Sequence, residues 1–192
     1  MDEVTGNASY QIDLPNGGLS YIIGNSIHQG SNAENSRMIS YAAEGASNPL
    51  QEVYLASNTM VNDRNNGWGI RLSGTPVAVI VNNIFDNFQN AIDGSPTLFL
   101  NNVVGLSSGF VDREAFDYHL IDTSQARDSG AEPGTYNGLS LTPMEEYIHP
   151  LTSAKRHLDN QLDSGAYEFV VGITPPVVPK ITGVPANFLL LR

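Results

Sequence analysis

Side chains that could do chemistry are sparse in this chain, and each cluster of them lacks a part. Gly105-Leu-Ser107-Ser-Gly109 has the G-x-S-x-G spacing of a serine nucleophile, which works on a strained turn between a strand and a helix; no helical pattern follows it, so it reads as a small-residue turn. Asp63-Arg-Asn-Asn-Gly67 is oxygen-rich like a calcium loop, but its Gly comes one position early and the distal Glu is missing. It reads as an ordinary Asn/Gly loop; no cofactor is expected, and calcium has no motif to support it. Asp117-Tyr-His119 sets an acid beside a base, in a stretch where the aromatic neighbours are expected to pack. His28, His149 and His157 have no partners at metal-ligand spacing and read as surface or loop residues, so no metal site is expected. Glycoside hydrolysis needs two carboxylates flanking one bond. Asp86 and Asp93 are candidates on adjacent strands, yet nothing in the sequence sets their separation, and solvated acidic positions are the default reading.

The other candidates are cationic and aromatic. Arg71 lies between Ile70 and Leu72, Arg64 lies in the preceding loop, Arg37 lies at the edge of an earlier strand, and Trp68 is the only tryptophan. A guanidinium can hold a carboxylate or take a proton beside it, and an indole can stack on a sugar ring. Alternation places Arg71 outward and Trp68, which shares the parity of Ile70, inward toward the core. Lys155 and Arg156 fall too far along the chain to be placed beside them.

Short strands must position these residues. Four segments carry an Asn in the same apolar frame: Tyr21-Ile-Ile-Gly-Asn25-Ser-Ile27, Tyr54-Leu-Ala-Ser-Asn58-Thr-Met60, Val79-Ile-Val-Asn-Asn83-Ile-Phe85 and Leu98-Phe-Leu-Asn-Asn102-Val-Val104. Positions −4, −2 and +2 from each Asn are apolar or aromatic, the even spacing of a strand with one buried face. The intervals between the Asn residues vary while the frame holds, as loop insertions on a solenoid produce. Asn25, Asn58, Asn83 and Asn102 are expected to form a structural ladder at one corner, because Asn bonds nearby backbone and tolerates the left-handed conformation. Met38-Ile-Ser-Tyr41, Gly69-Ile-Arg-Leu72 and Ala91-Ile-Asp-Gly94 supply a third strand per coil. The fold class is therefore all-β, a right-handed parallel β-helix of about four coils; an antiparallel sandwich also shows short alternating strands but leaves the Asn register unexplained.

Composition bounds the partners. Twenty acidic residues against nine basic ones give a net charge of −11, which disfavours nucleic acid, anionic membranes and acidic polysaccharides unless a local basic groove intervenes. Cysteine is absent, so disulfide and thiolate chemistry are excluded. No secretory signal stands at Met1-Asp-Glu-Val, and no apolar run reaches the length of a membrane span. Gln11-Ile-Asp-Leu-Pro-Asn-Gly-Gly18 runs into the first coil with no capping element, so further coils and a signal are expected upstream.

The run from Asp13-Leu-Pro-Asn-Gly-Gly18 through Asn82-Asn-Ile-Phe85 resembles bacterial right-handed β-helix repeat proteins of the pectate-lyase-like superfamily. So does the closing block Phe110-Val-Asp112, Asp117-Tyr-His-Leu120, Ser124-Gln-Ala-Arg-Asp-Ser-Gly130 and Asp163-Ser-Gly-Ala-Tyr-Glu168. Gln125 and Arg127 depart from the Pro and Ile usual there. The resemblance covers residues 11–169 and implies a fold and a bias toward carbohydrate chemistry, with reactive residues on the outward positions of one sheet. Three segments follow: coils over 1–106, truncated at the N-terminus; a loop-rich, aromatic closing segment over 107–169, expected to cap the open end of the tube; and a Pro-rich linker or tail over 170–192. The expected function is that of an extracellular or cell-surface carbohydrate-associated module, part of a polysaccharide lyase or hydrolase. The alternative is a non-catalytic glycan-binding, adhesin or spacer module. A polysaccharide or glycan is the expected partner, Arg64, Trp68 and Arg71 are its candidate contacts, and no catalytic residue is assigned.

Overall fold

The computed structural model describes residues 6–105, 109–148, 152–158 and 161–171. Ser107, His149 and most of the Pro-rich tail therefore lie outside the described residues. Short strands follow one another in triplets. The first coil is β1 (Ile12–Leu14), β2 (Ser20–Ile23) and β3 (Ser26–Gln29), and the second is β4 (Arg37–Tyr41), β5 (Glu52–Ala56) and β6 (Thr59–Asn62). The third is β7 (Trp68–Leu72), β8 (Val77–Val81) and β9 (Ile84–Asp86), and the fourth is β10 (Asn90–Asp93), β11 (Leu98–Leu100) and β12 (Val103–Gly105). Each strand pairs in parallel with its equivalent in the next coil, which builds three sheets, β1-β4-β7-β10, β2-β5-β8-β11 and β3-β6-β9-β12. The molecule is a parallel β-helix.

Equivalent side chains stack in register inside the tube. Ile12, Ile39, Ile70 and Ile92 form one column, Ile22, Leu55, Ile80 and Phe99 a second, and Ile27, Met60, Phe85 and Val104 a third. Ile39, Leu55, Ile70, Ile80 and Phe85 are fully buried, and burying each such side chain contributes about 1.5–3 kcal/mol. One coil has nothing to bury these residues against, so the core exists only as a stack.

The Asn column forms as expected, with one change in its logic. Asn58, Asn83 and Asn102 each accept, through Oδ1, from the backbone N and the Nδ2 of the Asn in the preceding coil: Asn25 to Asn58 at 2.9 and 3.0 Å, Asn58 to Asn83 at 2.9 Å for both, and Asn83 to Asn102 at 2.9 Å for both. The left-handed residue is the one before it: Gly24, Ser57, Asn82 and Asn101 have φ of 67°, 52°, 55° and 52°. That residue turns the chain between two strands and resets their alternation. Positions −3 and +2 both point inward, so Tyr21, Tyr54, Val79 and the other −4 and −2 residues do not share a face with +2 as the even spacing suggested. They lie on the outside of the second sheet, where Tyr54, Ala56, Val79 and Val81 pack with Leu141, Tyr21, Ile23 and Tyr136.

Leu141 and Tyr136 belong to the closing segment, and they show what it does. It contains three antiparallel pairs, β13 (Phe110–Asp112) with β14 (Asp117–Leu120), β15 (Thr135–Tyr136) with β16 (Leu139–Ser140), and β17 (Glu145–Ile148) with β18 (Thr152–Lys155). A 3₁₀ turn, Arg113–Ala115, links the first pair. This segment runs along the flank of the tube. Tyr118, Ala166 and Tyr167 pack on Val61, and Leu120 and Ala126 pack on Ile84. The Asp163-Ser-Gly-Ala-Tyr-Glu168 stretch is the clasp: Gly165 N donates to Asn82 O at 2.7 Å and Ala166 N to Thr59 Oγ1 at 2.9 Å. Gly165 adopts φ +100°, and a Cβ there would sit 2.5 Å from Ile84 Cδ1, so only glycine lets the strap approach this closely.

The fully buried Asn83 also donates to Leu55 O and Val81 O at 2.8 and 2.9 Å. Truncating it strands two donors of Asn58 and these carbonyls, so Asn83→Ala is expected to lower unfolding stability by about 2–4 kcal/mol. The same change at exposed Asn25 should cost clearly less, and urea unfolding monitored by circular dichroism measures both.

Candidate functional site

With the second and third sheets covered by the closing segment, the outer face of the first sheet is the one that receives none of these apolar contacts among the described residues. Its outward register is polar throughout: Asp13, Ser40, Arg71 and Asp93 stand one above another, at steps of about 4.8 Å. Asp13 and Arg71 are exposed, Asp93 is half-buried, and the buried Ser40 Oγ has no hydrogen-bond partner. Beside this column, Arg37 Nε and Nη2 donate to Asp93 Oδ2 at 3.0 and 2.8 Å, and its guanidinium carbon lies 5.5 Å from the centre of the Trp68 ring. Arg37 and Trp68 are register partners, so the arginine crosses over the indole to reach the fourth coil.

Trp68 is thus half-buried at the surface with a cation over it, not a member of the tube core. Strict alternation fails at the first residue of β7, where the chain enters from a corner. Arg71 points outward as expected. Arg64 does not join it: its Nε donates to Ala33 O at 2.8 Å and its Nη1 to Asn65 O at 3.0 Å, which ties it to the loops. Asp86 and Asp93 do not converge either, since Asp93 faces out from the first sheet while the buried Asp86 accepts from Arg113 Nε at 2.7 Å outside the third. Asp13 and Asp93 share the open face but stand three strand steps apart, about 14 Å, too far to flank one glycosidic bond. The face offers hydrogen-bond donors, acceptors and an aromatic rim.

Two polar clusters lie under the closing segment, and the sequence pattern concealed them. His28 is only 2% exposed and sits in β3, contrary to its reading as a surface or loop residue. Its Nε2 lies 2.8 Å from Asp63 Oδ2, Asp63 Oδ1 pairs with Arg113 Nη1 at 2.8 Å, and Arg113 continues to Asp86. Burial pushes the Asp63 carboxyl up, but the hydrogen bonds and charges of His28 and Arg113 outweigh it and leave it below the usual range. The Asp63 loop is therefore committed to an ionic relay that pins the 3₁₀ turn to the tube. Asp117 and His119 do come together, Nδ1 to Oδ1 at 2.6 Å, with the imidazole centre 4.3 Å from that of the Tyr167 ring and tilted against it by 39°; Tyr118, between them in sequence, is buried.

The second cluster joins the hairpin of β17 and β18 to the clasp. Arg156 Nη2 pairs with Glu168 Oε1 at 2.7 Å, both side chains almost wholly buried. Glu168 Oε2 accepts from Asp163 N at 3.0 Å, and Glu146 Oε1 accepts from Glu168 N at 2.7 Å. Arg156 Nη1 also donates to Gly165 O at 3.2 Å, and the Asp163 carboxylate accepts from Asp128 N and Phe169 N beside the pair. Burial pushes Glu168 up to about 7; Arg156 offsets this only in part, and the charge of Asp163 adds to it. Glu146 and Asp163 are raised for the same first reason. A signal was available in Glu168, the last residue of the closing block, whereas nothing local marks Arg156 or Glu146 as its partners.

Among the described residues, no three His, Cys, Asp or Glu side chains converge as a metal set, and no helix is long and apolar enough to cross a membrane. The chain matches no known family profile, no curated protein and no solved structure.

The raised Glu168 carboxyl fixes the direction of the pH dependence. Between its ordinary 4.5 and about 7 the folded chain holds a proton that the unfolded chain has released, so this contribution to stability is complete below that window and is lost as pH rises through about 7. The melting temperature should fall from about pH 5 to about pH 8, and Glu168→Gln should flatten this limb. The depressed Asp63 acts with opposite sign: its contribution is present above the ordinary carboxylate range and is lost as pH falls through its low value. Arg113→Ala should therefore weaken the acid limb. Differential scanning calorimetry across the pH series reads both.

Proposed function

We propose that the chain is a non-catalytic glycan-binding module of an extracellular or cell-surface protein, and that a saccharide chain lies on the outer face of the first sheet. Its resemblance to pectate-lyase-like β-helix repeat proteins supports the carbohydrate bias. The observation that carries the reading is the isolation of Arg71. Of the arginines among the described residues, Arg37, Arg113, Arg127 and Arg156 are each paired with a carboxylate and Arg64 is tied to backbone carbonyls. Of these, Arg71 alone is exposed without a hydrogen bond or ion pair, on the sheet face left uncovered among the described residues, one strand from Asp93 and Ser40 and three residues along β7 from Trp68.

A guanidinium fork and carboxylates donate to and accept from hydroxyls, and the Trp68 edge offers an apolar surface to a sugar ring. The column runs along the tube axis, so a polymer laid along it meets Asp13, Arg71 and Asp93 in turn. With net charge −11 and two of these three groups acidic, the ligand class is a neutral, hydroxyl-rich glycan rather than a polyanion. Cleavage would need a second reactive group within reach of Arg71, and its register neighbours are the buried Ser40 and the ion-paired Asp93.

Trp68, the sole tryptophan, gives a direct readout. Titration with neutral plant and microbial polysaccharides should change its fluorescence. Arg71→Ala should weaken binding by about tenfold, equivalent to about 1.4 kcal/mol, without altering the melting temperature. A panel that leaves the emission unchanged, or an Arg71→Ala variant that binds as tightly as the parent, would refute the proposal.

A further inference from the structure

The two ends of the tube are finished differently. In the first coil the core-register residues Ile22 and Ile27 are 7% and 2% exposed, whereas their counterparts in the fourth coil, Phe99 and Val104, are 43% and 45% exposed. Among the described residues, the exposed end of the tube is thus the C-terminal coil. Leu98 and Leu100 beside them are 37% and 47% exposed. Among the described residues, the strands β10, β11 and β12 are each the last of their sheet, so their outer backbone groups face away from the stack with no described strand beside them. After β12 the chain leaves for the flank, where β13 and β14 pair with each other. An exposed edge of this kind, apolar and flat, is a template for another chain.

We propose that this end is a dimerisation surface and that its occupant is a second copy of this chain, docked fourth coil against fourth coil. Two observations select that occupant. Head-to-tail stacking would set the exposed Phe99 and Val104 against the Ile22 and Ile27 of a first coil, which are already buried, so it leaves these two residues unmatched; an isologous contact puts two open ends together and closes after one pair. Charge selects the same contact. Each copy carries a net −11, and two such molecules repel wherever their acidic surfaces meet. Residues 94–111, which include β11 and β12, contain no charged side chain, so the end faces approach without that repulsion.

Sedimentation velocity of the full chain over a concentration series is expected to show a monomer–dimer equilibrium with no larger species. Leu100→Asp and Val104→Asp, each at an exposed position, should shift it to monomer by tenfold or more in Kd. Their circular dichroism melts should stay within a few degrees of the parent. Hydrogen–deuterium exchange of the parent chain is the measurement independent of any variant: amides of 98–105 should become more protected as concentration rises. A chain that stays monomeric at high micromolar concentration overturns the proposal. So do open-ended oligomers, a dimer insensitive to both substitutions, or protection of 98–105 that is the same at every concentration, which would mean that another part of the same chain covers this end.

Discussion

The corner amides form an unbroken hydrogen-bond chain through all four coils, and the register of the strands on either side follows from it. At each corner a left-handed residue breaks the backbone ladder and would leave main-chain groups facing the core. The next residue, an Asn, fills that gap: its oxygen takes the backbone N–H and the side-chain amide of the Asn below, and its own amide reaches carbonyls of its own coil and of the preceding one. These bonds lie at fully buried positions in Asn58 and Asn83, where an unmade bond costs most. Because the amide must face the same way in every coil, the strands on either side are fixed in register. The stacking of Leu on Ile and of Met on Phe in the core follows from that constraint.

The same corner explains why the strands before it are apolar on both faces. The −3 residues fill the tube, and the −4 and −2 residues present Tyr54, Val79 and Val81 to the outside. An exposed sheet of that character would aggregate. The closing segment covers it with Tyr136 and Leu141, and covers the third sheet with Tyr118, Leu120 and Tyr167. It is therefore a strap along the tube. The relay His28, Asp63, Arg113 and Asp86 pins it to the coils, and the cluster around Arg156 joins its last hairpin to its own clasp. Among the described residues, what the strap leaves open is the polar column of the first sheet and the apolar end of the fourth coil. In an acidic molecule with few cations, the pairing of most arginines with carboxylates or carbonyls leaves Arg71 as the group whose position has no structural account.

The stack of short strands, the third strand per coil and the Asn column were all legible from the spacing of Asn25, Asn58, Asn83 and Asn102, because an amide that recurs at a fixed place in an apolar frame is what a stacked corner requires. The outward direction of Arg71 was legible too, since Ile70 and Leu72 flank it within one strand. Facing failed wherever alternation was carried through a corner: Tyr21, Tyr54 and Trp68 were placed inside, and all three lie on or near the surface of the tube. A left-handed residue removes one step of the alternation, and single-strand periodicity contains no record of it.

The amino-acid order by itself thus determined the class of fold, the number of coils, the corner residues and the absence of thiol chemistry. These depend on local spacing and composition, which a linear pattern records. The tertiary structure alone decided that the closing segment runs along the flank, that His28 and Asp86 are buried and bridged through Asp63 and Arg113, that Arg156 holds Glu168, and that Arg64 and Arg71 have different fates. Each of these is a contact between residues far apart in the chain. Such contacts are set by which faces remain to be covered once the coils have stacked, and that remainder exists only in three dimensions.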